Sequence, residues 1–309
     1  EELNLYTNKS YISEFIKRFL NLLSYNQANI VGDRLFGFLK SINKPKNFSI
    51  LHCQAGYGLS AIKKCNNKNE IGIVSDHFGT LKGTLIRQLK DEYSKFGINF
   101  KIYNEKILEQ RELEAKLSDK IIVPSFFLAN EFVNIGFNKS KIKVIPFRPP
   151  LAKKILDIPY NYILKKRNKN NNKLRILCVV SSISIAKGIH YLLESFEILQ
   201  QKYKSDISLT LAGSYNKESQ IIFEKYNLKI NYLKYVHEDE LINLFINHDI
   251  FINPTLNEGS SLINYEAMSA GLSVITTFDS GSPIKSEHDG IFNTIKKYKC
   301  YSSEHRKVV

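Results

Sequence analysis

The sequence lacks any run of about eighteen consecutive apolar residues, the length that a helix needs to cross a membrane. It begins Glu-Glu-Leu-Asn, without the basic segment and apolar stretch of a signal peptide. These absences predict a cytoplasmic protein without a membrane-spanning helix. Because Glu1 is not an initiator methionine, we also expect the sequence to lack its true beginning.

Cysteine pairs and metal-binding motifs are also missing. The cysteines Cys53, Cys65, Cys178 and Cys300 lie far apart and form no Cys-x-x-Cys pair. Cys53 and Cys178 fall in or beside apolar runs, which favours small core residues with reduced thiols. No Asp-x-Asp pair, His-x3-His pair or Cys/His cluster occurs, so we expect no metal site and no cofactor.

The chain has 309 residues, of which 43% are hydrophobic and 24% charged, as in a globular protein of two ordinary domains. Its net charge of +14 would attract polyanions. The lysines are dispersed, apart from a dense basic run at 165–169, and no nucleic-acid motif accompanies them. A solvated basic surface is the first interpretation, peripheral contact with an anionic membrane the second, and no nucleic-acid partner is expected.

Strand and helix patterns alternate along most of the chain, which predicts an α/β protein with doubly wound parallel sheets. In the first half, strands are predicted at 48–52, 71–75, 120–123 and 142–145, and helices at 10–23, 31–39, 59–64, 81–96, 106–117 and 125–134. In the second half, strands are predicted at 174–180, 207–212, 230–235, 249–253 and 272–276, and helices at 187–202, 218–226, 238–247 and 260–271. Arg148-Pro-Pro150 and the polar run 165–173 interrupt the alternation. We therefore expect a domain at 1–147, a linker at 148–173 and a second domain at 174–309.

The segment 257–271 carries the strongest chemical pattern. It joins two predicted buried strands through a Gly/Ser loop and a helix, a βαβ unit whose loop lies at the carboxyl edge of a parallel sheet. The amides of Gly259, Ser260 and Ser261 would be free at a helix N-terminus to bind phosphate oxygens. Glu258 and Glu266 are eight positions apart, about two helical turns, so both carboxylates could face one cleft and bind sugar hydroxyls. The alternative is a capped amphipathic helix with two exposed glutamates.

The sequence Asn-Glu-Gly-Ser-Ser-Leu…Glu-Ala-Met-Ser-Ala-Gly resembles the donor-site signature of GT4-type retaining glycosyltransferases, the glycosyl transferases group 1. With gaps, the resemblance runs from about Phe48 to Gly290. It implies the GT-B fold, in which two Rossmann-like domains face a cleft. It also implies sugar transfer from a nucleotide-diphosphate sugar, with retention of configuration and without a bound metal.

The resemblance also assigns the expected site residues in the second half. Lys187, followed by glycine, would contact the donor diphosphate and act in catalysis; Ser182 stands where the family often has an arginine that shares this task. Glu258 would contact the transferred sugar and also act in catalysis, and Glu266 would contact the ribose. The donor-binding set is completed by Gly259, the amides of Ser260, Ser261 and Leu262, the strand-end Gly213, and Val236 beside the base.

In the first half, His77 follows a predicted strand, and the resemblance makes it the candidate catalytic residue near sugar and acceptor. An ordinary strand-end histidine is an equally good interpretation. The acceptor would be a glycan, a lipid-linked group or another hydroxyl compound. Relative to the family, an opening strand with its Gly-Gly loop and the closing segments after Gly290 are absent, so we expect a sequence truncated at both ends. A degenerate protein that binds nucleotide-sugars without turnover is therefore the alternative function.

Overall fold

A computed structural model describes residues 48–65, 71–102, 105–168, 173–226, 228–282, 284 and 290–292. They fall into two compact units. The first contains Lys101–Val123, Phe132–Val144 and the part of the chain up to Lys82; the second contains Gly83–Phe100, Pro124–Glu131 and the part from Ile145 onward. The second unit therefore includes two pieces of the first half, whereas the sequence predicted a contiguous division.

The first unit is built on a parallel sheet of four strands in the order β1-β2-β3-β4. The strands are β1 (Ile50–Gln54), β2 (Gly72–Asp76), β3 (Lys120–Val123) and β4 (Ile142–Val144). Two helices accompany them, α1 (Leu59–Cys65) and α3 (Glu105–Leu117). The helix between those two in the chain, α2 (Lys82–Ser94), belongs to the second unit except for its first residue.

The second unit is built on a six-stranded sheet in the order β10-β9-β8-β5-β6-β7. All its pairs are parallel. Its strands are β5 (Leu174–Ser182), β6 (Ile207–Ser214), β7 (Asn231–Leu233), β8 (Ile250–Asn253), β9 (Ser273–Thr276) and β10 (Gly290–Phe292). The connecting helices are α7 (Ile189–Tyr203), α8 (Lys217–Lys225), α9 (Glu238–Asn247) and α10 (Leu262–Ser269).

Both faces of this second sheet are covered by apolar side chains. Ile176 and Cys178 of β5 pack in one core cluster with α7 and α8, whereas Leu177 between them packs in a second cluster with α9 and α10. Successive side chains of a strand point to opposite faces, so the continuous apolar run of β5 is the pattern of a strand buried on both sides. Cys178 is buried, as predicted, while Cys53 is partly exposed.

The predicted alternation of strands and helices is confirmed wherever it falls on described residues, with bounds shifted by a few residues. β3 and α9 have the bounds that the sequence predicted. Three further elements were not predicted: α5 (Ala152–Leu156) and α6 (Tyr160–Asn168) lie within the expected linker, and β10 pairs with β9. The helices predicted at 10–23 and 31–39 lie outside the described residues.

Two helix starts show the expected local chemistry. Ser125 precedes α4 (Phe126–Asn134), and its hydroxyl accepts a hydrogen bond from the Leu128 amide at 3.2 Å, which is a helix N-cap. α9 begins with Glu238, Asp239 and Glu240, whose negative charges suit the positive end of a helix dipole. Among the described helices, none is both long enough and apolar enough to cross a membrane.

Candidate functional site

The order of strands in the second sheet fixes where a ligand site is expected. From β5 the chain moves outward in one direction to β6 and β7, then continues on the other side of β5 with β8, β9 and β10. The switch point of the topology is therefore between β5 and β8. In open α/β sheets ligands bind outside the carboxyl ends of the strands at this point. The loops that follow β5 and β8 contain Lys187 and Glu258, respectively.

Gly188 brings these two loops together. Its backbone has φ +66°, a left-handed conformation that favours glycine, and a Cβ atom there would overlap the Pro254 carbonyl. Beside this contact the Leu256 amide donates a hydrogen bond of 2.9 Å to the Ala186 carbonyl. The glycine after Lys187 thus allows the loop after β5 to lie directly against the loop after β8.

Lys187 and Glu258 form an ion pair at this junction. The Lys187 Nζ and the Glu258 Oε2 are 3.0 Å apart, and their side chains are 20% and 28% exposed. A partly buried ammonium group can stabilise negative charge that develops on a departing diphosphate. A carboxylate such as that of Glu258 can accept hydrogen bonds from hydroxyl groups. The structure thus brings together the two second-half residues for which catalytic roles were expected.

The loop containing Glu258 is fixed by backbone hydrogen bonds to the turn that follows β9. The Glu258 amide donates to the Asp279 carbonyl and the Ser261 amide to the Ser280 carbonyl, both at 2.9 Å. The expectation that the Ser261 amide is free for phosphate is therefore wrong in this structure, because Ser280 already accepts its proton. The Gly259 carbonyl accepts a hydrogen bond of 2.6 Å from the Ser125 hydroxyl.

The helix in this segment is shorter than predicted. α10 begins at Leu262, with Ser261 as its N-cap residue, so Glu258 lies in the loop and not on the helix. Helical spacing does not set the separation of Glu258 and Glu266, because only Glu266 is on the helix, and a shared cleft for their carboxylates stays a prediction. Ser260 and Ser261 are both buried, at 8% and 1% exposed.

Glu266 is directed to a different neighbour. Its carboxylate accepts a hydrogen bond of 3.3 Å from the Leu151 amide, just before α5, and the residue is 6% exposed. Burial raises the pKa of Glu266, the Leu151 amide opposes that rise and nearby Glu238 adds to it. No ion pair joins Glu266 to Lys187 among the described residues. Contact of Glu266 with a ribose stays a prediction.

The remaining donor-site candidates of the second unit all lie at or just beyond strand ends. Ser182 is the last residue of β5 and is paired in register with Ser214 of β6. Gly213 is buried near the end of β6, and its carbonyl accepts a hydrogen bond of 2.9 Å from the Tyr232 hydroxyl. Val236 lies between β7 and α9 and is partly exposed. Their contacts with a nucleotide stay predictions.

His77 is buried in the first unit. It is 2% exposed, its Nε2 lies 3.0 Å from the Ser75 hydroxyl, and its ring packs edge-on against Phe132. Burial, and to a lesser extent the positive charge of Arg111, lowers the pKa of His77 to about 3. This packing favours the strand-end histidine that the sequence left as the alternative, and a role of His77 near sugar and acceptor stays a prediction.

Beside His77 the first sheet carries a small hollow at the carboxyl ends of β1 and β2. It is lined by Gln54, Ala55, Asp76, His77, Phe78, Gly79 and Arg111. On its rim the Asp76 carboxylate pairs with His52 at 2.8 Å. The buried Nε of Arg111 has no hydrogen-bond partner among the described residues.

Sequence reasoning missed the polar network that supports the second-unit loops. The buried amide of Asn253 donates to the Ser261 hydroxyl at 2.8 Å and to Asn264 at 2.9 Å. The Asn264 amide donates in turn to Thr276 and Ser282. Asn264 lies in the segment 257–271 and Asn253 ends the strand before it, but their type and spacing gave no signal of their contacts. Within the described ranges, no group of three or more His, Cys, Asp or Glu side chains could hold a metal ion.

One protein family matches the part of the chain that contains these residues. Residues 162–293, which include Lys187, Glu258 and Glu266, match the family described as glycosyl transferases group 1. This matching stretch, less than half of the chain, is named the glycosyl transferases group 1 region for the family that it resembles. The glycosyl transferases group 1 region thus covers the second sheet from β5 to β10 and its connecting helices.

Two curated relatives carry consistent names. The capsular polysaccharide biosynthesis glycosyltransferase CapM of Staphylococcus aureus is 27% identical over 176 residues, which cover 55% of this chain and 43% of CapM. The putative glycosyltransferase YtcC of Bacillus subtilis (strain 168) is 29% identical over 140 residues, 42% of this chain and 34% of YtcC. The chain therefore spans less than half the length of either relative.

A solved structure extends the likeness to the first unit. It is described as trehalose-6-phosphate from E. coli bound with UDP-2-fluoro glucose, and the match covers 89% of this chain and 69% of that chain. The TM-score is 0.56 at 15% identity, a level at which the likeness concerns the fold alone. The fold expected from the sequence, an α/β protein of GT-B type, is confirmed.

Proposed function

We propose that the protein is a glycosyltransferase that moves a sugar from a nucleotide-diphosphate sugar to a hydroxyl acceptor, with retention of configuration and without a bound metal. The proposal rests on one observation above others: Lys187 and Glu258 meet at 3.0 Å at the switch point of the glycosyl transferases group 1 region. At that place the Lys187 ammonium group can bind the donor diphosphate, and the Glu258 carboxylate can bind hydroxyl groups of the sugar.

In the proposed reaction the bond between the anomeric carbon of the sugar and the diphosphate oxygen breaks, and a bond to the acceptor oxygen forms on the same face. The acceptor proton passes to the departing phosphate oxygen. Lys187 stabilises the negative charge that grows on the diphosphate, and Glu258 orients the sugar through its hydroxyl groups. When the diphosphate engages Lys187, it replaces Glu258 as the counter-ion of the ammonium group.

The donor is a nucleotide-diphosphate sugar, and the acceptor that we propose is a carbohydrate or a lipid-linked group. Because the solved relative from E. coli is described with UDP-2-fluoro glucose, UDP-sugars are the first donors to test. The name of CapM, which refers to polysaccharide biosynthesis, supports a glycan acceptor. We also propose a cytoplasmic location with peripheral contact to an anionic membrane.

Titration calorimetry with nucleoside diphosphates tests the donor site. Lys187→Ala should weaken binding of the matching nucleoside diphosphate about tenfold or more, because one charge-assisted contact is worth about 1.5–3 kcal/mol. Lys116→Ala, which removes an exposed lysine of α3, is the matched control and should bind like the wild type. Equal affinity in the wild type and Lys187→Ala would contradict the proposed role of Lys187.

Turnover separates the enzyme from a non-catalytic binder. Release of nucleoside diphosphate from a UDP-, GDP- or ADP-sugar in the presence of acceptor extract is the expected result, and EDTA should leave the rate unchanged. Binding without turnover would instead favour the degenerate nucleotide-sugar-binding protein. A rate abolished by EDTA and restored by a divalent cation would overturn the metal-independent form of the proposal.

A further inference from the structure

Helix α2 buries a polar stripe against other parts of the second unit. Thr84, Gln88 and Glu92 are spaced four residues apart, which places them on one face of the helix, and they are 1%, 3% and 3% exposed. Buried polar side chains need hydrogen-bond partners, so this face must have specific contacts. α2 lies outside the glycosyl transferases group 1 match, and the sequence gave it no functional role.

Gln88, in the middle of the stripe, joins two residues beside Glu258. Its carbonyl oxygen accepts a hydrogen bond from the Asn257 amide, and its own amide donates to the Asp279 carboxylate at 2.9 Å. Asn257 is the residue immediately before Glu258. Glutamine suits this place because one end of its side chain accepts and the other donates.

Asp279 carries the connection to Glu258 itself. Its backbone carbonyl accepts the hydrogen bond from the Glu258 amide, so its side chain contacts Gln88 while its main chain contacts Glu258. Gln88 therefore ties the residue before Glu258 to the residue that binds the backbone of Glu258. The neighbouring members of the stripe hold α2 in place on either side.

Thr84 donates to the Glu131 carboxylate at one end of the stripe, where Arg87 also pairs with Glu131 at 2.7 Å. At the other end Glu92 accepts a hydrogen bond of 2.8 Å from the Tyr191 hydroxyl and pairs with Lys95. These contacts with α4 and α7 fix the register of the helix over the loops that follow β8 and β9. The Gln88 side chain is thereby held opposite Asn257 and Asp279.

We propose that Gln88 is a positioning residue for Glu258, acting through Asn257 and Asp279, and that the first half of the chain thus completes the active site of the glycosyl transferases group 1 region. This inference rests on the proposed function for its effect on turnover. The contact geometry that it requires can be tested without any activity.

Two variants and one control suffice. Leucine is similar in size to glutamine, so Gln88→Leu removes the hydrogen bonds to Asn257 and Asp279 with little change in side-chain volume. Gln88→Glu keeps the shape and the acceptor oxygen, but it places a carboxyl group instead of the amide donor beside Asp279. Gln220→Leu changes an exposed glutamine of α8 and is the control. Thermal unfolding of each variant shows whether it is folded at the temperature of the assays.

Hydrogen exchange of the Glu258 amide is the first measurement. Gln88→Leu should speed this exchange about tenfold or more relative to the wild type and the control, because the Asp279 carbonyl is less firmly held. Unchanged exchange at Glu258 in both Gln88 variants would overturn the proposal whatever the activity. If the wild type shows no turnover with any donor, the proposed function fails, and exchange still decides the role of Gln88.

Turnover is the second measurement. In Gln88→Leu, misplacement of Glu258 should lower kcat about 10- to 100-fold while the KM for the donor changes less than about threefold.

The Gln88→Glu variant adds a pH test. Burial, with Glu131 adding and Arg87 opposing, raises the pKa of Asp279 to about 6. In Gln88→Glu the two carboxyl groups can therefore share a proton near pH 5.5 but repel each other near pH 8. The ratio of the kcat of Gln88→Glu to the kcat of the wild type should therefore rise as pH falls. If the two proteins had the same kcat at pH 8, the proposal would be overturned.

Discussion

At the scale of single residues, the candidate site depends on glycines as much as on charged groups. Gly188 holds a left-handed conformation in contact with the Pro254 carbonyl, and Gly281, with φ +64°, lies equally close to the Gly259 carbonyl. These two close approaches lie on either side of Glu258. The loop that presents its carboxylate is thus packed against backbone on both sides, which leaves no space for a side chain at either glycine.

Gly188→Ala should destabilise the protein. A non-glycine residue in this conformation costs about 1–3 kcal/mol, and overlap of the new methyl group with Pro254 adds to that cost. Denaturant unfolding measures the loss, and calorimetry should show weaker nucleoside diphosphate binding because Lys187 is displaced.

Gly83→Ala is the matched control for this substitution. Gly83 lies in α2 with no atom within 4 Å of an added Cβ, so alanine should stabilise by about 0.4–1 kcal/mol. If both alanine variants had the same unfolding free energy as the wild type, the close approach of Gly188 to Pro254 would be refuted.

At the scale of elements, α6 joins the ends of two other helices through one side chain. The Arg167 guanidinium donates to the Phe245 carbonyl in the last turn of α9, and to the Ala270 and Gly271 carbonyls after α10. The last carbonyls of a helix have no partners within it, and a positive charge there also favours the helix dipole. α6 lies within the expected linker, yet it supports the helix that follows the Glu258 loop.

Arg167→Met should cost about 2–3 kcal/mol of unfolding free energy, because hydrogen bonds from a charged donor are worth about 1.5–3 kcal/mol. Lys165→Met removes the same charge from an exposed position of α6 and should change stability by less than about 0.5 kcal/mol. Chemical denaturation of the two variants makes the comparison. Equal stability of both would show that the three carbonyl contacts contribute nothing.

The elements were predictable to different degrees for physical reasons. Buried parallel strands such as β3 and β5 can be predicted from their apolar runs, and the start of α9 from its acidic first turn. β10 and α5, of three and five residues, are too short to show a period. The start of α10 was misplaced because Ser260, Ser261 and Leu262 are all acceptable at a helix N-terminus, and only the contact of the Ser261 amide with Ser280 decides.

The residues of the candidate site were also predictable from the sequence to different degrees. Lys187 and Glu258 were predictable because both lie in a local motif directly after a strand. Gln88 was not, since its partners are 169 and 191 positions away and it adjoins the buried Leu89 in an ordinary amphipathic helix. For His77 the sequence left two interpretations open, because it indicates the end of a strand but not how deeply the side chain is packed.

At the scale of the whole molecule, the net charge of +14 is the property most open to a solution test. Vesicles rich in phosphatidylglycerol should bind the protein, whereas phosphatidylcholine vesicles should not, because anionic headgroups attract a basic surface. Bound protein should dissociate as salt rises from about 0.05 M to about 0.5 M, where screening is strong. Co-sedimentation measures both; equal binding to the two lipids would contradict peripheral electrostatic contact.

The placement of α2 also has a practical consequence for protein engineering. A recombinant fragment cut to the stretch 162–293 would contain Lys187 and Glu258 but lose the helix that covers Asn257, Asp279, His190 and Tyr191. It would also lose Ser125, the donor to Gly259. A chimera that contains this stretch should therefore also contain residues 83–100 and 124–131. These two pieces supply hydrogen-bond partners that lie outside the region matched by the family.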